Sequence, residues 1–174
     1  SEAQSAEAVA DPEWRIKSGA LYRLVDVNKK VVPFVPNEVQ AKFIDTIWYR
    51  NVVPKARKRG FSTVIQLMML DSSLFVPDSE CVVIAQDDQT AKDILESKFK
   101  FAWERLPPVV HEMVRKERDN VHEMKFSNGS IIIAASTSRG KTPSWLHISE
   151  FGIICLRDPA MADEILSGAI PSVP

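Results

Sequence analysis

Between Asn51 and Phe75 the chain reads NVVPKARKRGFSTVIQLMMLDSSLF. An apolar segment is followed by Lys55, Arg57, Lys58 and Arg59, by the single Gly60, and by Ser62-Thr63 at the head of an apolar helix ending near Asp71 to Phe75. A strand feeding a glycine-containing loop that opens straight into a helix is built to hold phosphate. The helix start offers unpaired N–H groups and a positive dipole, the glycine lets the backbone curl around the anion, and a hydroxyl can ligate magnesium. The ligand that fits is a triphosphate. The usual spacing GxxxxGK(S/T) is broken, with Lys55 at the first glycine position and Phe61 at the lysine position. An ammonium is still required near the β/γ-phosphates, and Lys55 can reach back across the loop to supply it. Arg57, Lys58 and Arg59 are competing candidates. Ser62 is the expected magnesium ligand, with Thr63 the alternative. The plainer reading is a solvated basic loop before an ordinary helix.

A second constellation follows some 90 residues later. In P-loop ATPases an apolar strand ends in Asp-Glu, the first carboxylate orienting hydrated magnesium and the second polarising the attacking water. Here WLHISE ends in Ser149-Glu150. Glu150 fits the catalytic base. Ser149 replaces the acid, leaving a hydroxyl or a bound water to reach the metal.

Taken together, KARKRGFST, AASTSRGKTPSWLHISEFG and the upstream VPNEVQAKF resemble the ATPase domain of the large subunit of a tailed-bacteriophage or prophage terminase, the motor that pumps DNA into procapsids. The match runs over about residues 31 to 174. The resemblance implies ATP and Mg2+ as cofactors and gives Lys55 the displaced lysine's role. It implies that Gln40 reads adenine with its carboxamide, that Arg57 acts on or senses the γ-phosphate, and that Arg139, beside Gly140, is a finger for a neighbouring site. It implies an ASCE-type P-loop sheet, mostly parallel and flanked by helices. Its partners would be double-stranded DNA, the small terminase subunit, the portal protein and further copies in a ring, in the cytoplasm of a bacterial host. In that family a coupling strand stands between the phosphate-loop strand and the acidic strand, and a nuclease domain follows. Neither is found before IPSVP, so a partial ATPase domain of a longer protein is expected.

Elements must position these residues. Strand and helix patterns alternate: an extended pair in LYRLVDV and KKVVPFVP, a helix in VQAKFIDTIWYR, the buried run CVVIAQ, a helix capped by Asp87 or Asp88, a turn at Asn128-Gly129, and the run WLHIS. That alternation predicts an α/β layered fold around a mostly parallel sheet. Residues 1–13 are small and acidic and are expected to form a mobile tail, leaving 14–174 as one domain. The formal net charge is -1. Glu2, Glu7, Asp11 and Glu13 all fall in the tail, so the body carries 22 bases against 19 acids. No run is long enough to span a membrane and the start is no secretory signal. Cys81 and Cys155 lie far apart in apolar runs and are expected as buried free thiols. Trp48, Tyr49, Trp103 and Trp145 are expected as core or half-buried packing, rather than base-stacking platforms. Two other readings stand beside the packaging motor: a helicase-like nucleic-acid translocase, and a non-hydrolysing module that binds a packaging partner.

Overall fold

The computed structural model describes residues 8–54, 60–137 and 142–173. Its elements run in the order α1 (Pro12–Lys17), β1 (Arg23–Val25), β2 (Val31–Pro33), α2 (Glu38–Thr46), α3 (Phe61–Phe75), β3 (Glu80–Ile84) and α4 (Asp88–Ile94). Helix α4 continues through a π-helical turn, Leu95–Lys100, to Trp103. Then come α5 (Pro108–Met113), β4 (Lys116–Asp119), β5 (Glu123–Phe126), β6 (Ile131–Ala135), β7 (Trp145–Ile148), α6 (Phe151–Arg157) and α7 (Pro159–Glu164), the last followed by a second π turn, Ile165–Ala169.

The fold is α/β, with a five-stranded sheet of order β4-β5-β6-β3-β7 flanked by helices on both faces. The sheet is mixed, which corrects the expectation of a mostly parallel one. Strand β3 runs parallel to β6 and β7, whereas β5 is antiparallel to β4 and β6. The cause is local. Asn128-Gly129 makes the tight turn expected of it, with Gly129 at φ +87°, and so joins β5 to β6 as a hairpin. The chain from Lys116 to Asp119 then adds β4 to the hairpin's outer edge, an element that its charged residues do not announce.

Alternation along β3 divides the core. Cys81, Val83 and Ala85 meet α3 and α4 with Leu67, Leu70, Leu95 and Phe99. Val82 and Ile84 meet Ile154, Ala162 and Ile165 on the opposite face. Every β3 residue after Glu80 is buried, while all four residues of β7 are half-buried. Among the described residues β7 pairs with β3 alone. Because the Ser149 N–H donates to the Ile84 carbonyl at 2.8 Å, the ladder's alternation turns the N–H and C=O of Leu146 and Ile148 away from β3.

Several expectations change here. No strand leads into the basic loop: residues 51–54 are without regular structure, and Val52 is 94% exposed. A strand needs a ladder neighbour, and the resemblance puts a further strand between this segment and β7. No such strand occurs among the described residues. Residues 9–13, expected within a mobile tail, are tied down: Asp11 caps α1 by accepting from the Glu13 N–H, and Arg15 donates to the carbonyls of Val9 and Ala10. Helix α2 stops at Thr46, which leaves Trp48 and Tyr49 outside it and exposed, against the packing expected of them. Trp103 is buried and Trp145 half-buried, as expected. Cys81 is a buried thiol, and burial pushes its pKa up to about 11. Cys155 is exposed instead, on the outer side of α6.

Candidate functional site

The long helix α3 sets the geometry. Near its C-terminal end, the Met69 carbonyl accepts from the Cys81 thiol, and Asn128 donates to the carbonyls of Ser73 and Leu74. Cys81 and Asn128 lie at the N-terminal ends of β3 and β6, so α3 runs antiparallel to these strands. Its first residue therefore lies toward their C-terminal ends, where ligands gather in open α/β sheets.

Gly60 is the N-cap of α3, at φ 72° and ψ 11° in the left-handed region. A Cβ placed there would stand 2.5 Å from Gln40 Nε2. Thus Gln40 and Gly60, twenty residues apart, are in contact. Gln40 is 8% exposed and belongs to a capping box: Asn37 Oδ1 accepts from the Gln40 N–H, and Gln40 Oε1 accepts from the Asn37 N–H, both at 3.0 Å. The Asn37-x-x-Gln40 spacing could have been read from the sequence as a capping box. With Oε1 held by the backbone, the carboxamide turns its Nε2 toward Gly60.

Phe61 explains why no lysine stands after the glycine. It is 9% exposed and meets Phe43 edge-to-face, with ring centroids 5.5 Å apart. The position docks α2 onto α3, so any ammonium for phosphate must come from elsewhere. Ser62 and Thr63 occupy the first turn of α3, both half-buried. Lys55, Arg57, Lys58, Arg59 and Arg139 lie outside the described residues.

At the C-terminal end of the sheet, β7 runs into Ser149, 8% exposed, and Glu150, which is exposed with φ 59° and ψ 42°. A non-glycine residue in the left-handed region is strained by about 1–2 kcal/mol, and such strain concentrates at functional positions. The β3–β7 register pairs Ile84 with Ile148, so the chain leaves the sheet on adjacent strands at Gln86 and Glu150. Gln86 Oε1 is buried and accepts no hydrogen bond, a feature that the apolar run did not signal. Asp87 caps α4, accepting from the Thr90 N–H at 2.7 Å, and that bond holds its carboxyl below the usual range.

Among the described residues no three His, Cys, Asp or Glu side chains form a protein-only metal cage. Mg2+ beside a triphosphate takes only one or two protein oxygens and completes its shell with phosphate and water, so the expectation for Ser62 and Ser149 does not call for such a cage. No helix among the described residues is long and apolar enough to cross a membrane. Comparison with protein-family models and with curated proteins finds no match.

Proposed function

We propose that this chain is an ATP-hydrolysing motor domain of the kind that packages double-stranded DNA in tailed phages. The observation that carries the reading is the contact between Gln40 and Gly60. The resemblance assigns one of them to the adenine and the other to the phosphate loop of a single nucleotide, and here the two meet at the head of a fifteen-residue helix. The strained Glu150 at the tip of β7 adds support.

In this reading Gly60 shapes the loop, Lys55 neutralises the β/γ-phosphates, Arg57 and Arg139 stabilise charge at the γ-phosphate, and Ser62 offers its hydroxyl to the metal, with Thr63 as the alternative. When bound, Mg2+ supplies further neutralisation of the phosphates. Glu150 accepts a proton from the attacking water.

Glu150→Gln should abolish hydrolysis and leave binding of a fluorescent ATP analogue unchanged; turnover at the parent's rate would overturn the assignment. Lys55→Ala should weaken binding more than Lys58→Ala or Arg59→Ala does. A second reading, a module that binds a packaging partner without hydrolysing ATP, is favoured by the outer edge of β7 and by the irregular residues 51–54. A folded chain with no affinity for the analogue would select it.

A further inference from the structure

We infer that the turn from Trp48 to Asn51 is a contact point for single-stranded nucleic acid. Trp48 and Tyr49 are 73% and 71% exposed, side by side, with ring centroids 5.9 Å apart in an edge-to-face pair. Leaving such large side chains in water forgoes about 1.5–3 kcal/mol each. The turn that presents them is closed. Asn51 Oδ1 accepts from the Trp48 N–H at 3.1 Å, and Asn51 Nδ2 donates to the Trp48 carbonyl. Arg50 places its guanidinium 5.7 Å from the Tyr49 ring centroid. Two rings on a fixed turn, with a cation beside them, make a stacking platform that accepts any base.

Charge selects a polyanion over a protein partner. Residues 48–59, WYRNVVPKARKR, carry five bases and no acid, a one-signed run that suits a phosphate backbone. A duplex hides its base faces, so aromatic stacking of this kind favours an unpaired strand. The inference stands apart from the proposed motor's duplex and does not rest on its nucleotide site.

The test uses the 174-residue chain and a fluorescein-labelled thymidine 20-mer, followed by anisotropy at two salt concentrations. The Trp48→Ala/Tyr49→Ala double variant should bind at least tenfold more weakly, since stacking is worth about 1–3 kcal/mol per base. Trp48→Phe/Tyr49→Phe should retain most of the affinity. Arg50→Ala should bind several-fold more weakly and lower the salt slope by about one. Binding of the double-alanine variant within twofold of the parent, or no binding by the parent, would overturn the inference. So would a fall of more than about 5 °C in the double variant's melting temperature, because the rings would then be packing groups. An ATP-analogue titration of the parent run in parallel keeps the two proposals separate: a parent that binds the analogue but not the oligonucleotide sinks this one, and a parent that binds the oligonucleotide but not the analogue sinks the nucleotide site.

Discussion

The two ends of α3 are built on opposite principles. At the C-terminal end Asp71 is 5% exposed and saturated with partners: Arg15 donates Nε and an Nη to its two oxygens at 2.8 Å each, and the Tyr22 hydroxyl donates at 2.7 Å. Arg15 also lies 4.0 Å over the Phe75 ring. Burial, and then the Asp71 charge, hold the Tyr22 hydroxyl well above its ordinary pKa, so it remains a donor. At the N-terminal end the helix begins on left-handed Gly60 with no side-chain cap, toward the sheet end at which β7 runs into left-handed Glu150. One end is closed on itself; the other begins on a glycine that offers no side-chain cap. That division is expected where a single helix serves both stability and ligand binding.

The largest effect should follow from breaking the closed end. Asp71→Ala strands the buried Arg15 guanidinium, and removing one partner of a buried pair costs about 3–5 kcal/mol. Urea or thermal unfolding should show a fall of roughly 10 °C or more, while any of the chain that remains folded binds the ATP analogue as the parent does. A loss under about 1 kcal/mol would show that the two ends of α3 do not differ as described.

The sequence made the open end more legible than the closed one. Gly60, Ser62-Thr63, the Asp87 cap and Glu150 all announce themselves through local residue types, and the limits of α3 follow from its apolar run. The Arg15–Asp71–Tyr22 cluster has no local signature, because its members are 56 and 49 residues apart and pair only once the fold brings α1 and β1 onto α3. The strand expected at 51–54 was misread for a related reason: an apolar run shows that a segment can form a strand, but a ladder needs a neighbour. The edge strand β4 escaped because KERD carries charge at every position and pairs with β5 all the same.

A smaller effect should appear at the open end when Gly60 is changed. Gly60→Ala puts a Cβ 2.5 Å from Gln40 Nε2 while φ stays at +72°. The glutamine can give way only by straining its bond to the Asn37 N–H. The conformational part costs about 1–2 kcal/mol, which is roughly a 2–8 °C fall in melting temperature for a chain of this size. Adding Gln40→Ala should relieve the clash without restoring the φ penalty. A double variant as unstable as the sum of the singles would mean that Gln40 and Gly60 do not touch.

The smallest expected change has the opposite sign, which makes it the sharpest test of the comparison. Glu150 holds φ 59° at the tip of β7, and Lys29 holds φ 60° in the exposed β1–β2 turn. Glycine at either position removes left-handed strain of about 1–2 kcal/mol and adds about 0.5–1 kcal/mol of unfolded-chain entropy. Both Glu150→Gly and Lys29→Gly should therefore raise stability by up to about 1 kcal/mol, or leave it unchanged. Under the proposed function the two must part: Lys29→Gly should hydrolyse ATP as the parent does, and Glu150→Gly should not hydrolyse it at all. If Glu150→Gly instead lowered the melting temperature by several degrees, its left-handed backbone would belong to the packing of α6 against β7. The open end of α3 would then face a structural corner in place of a catalytic one.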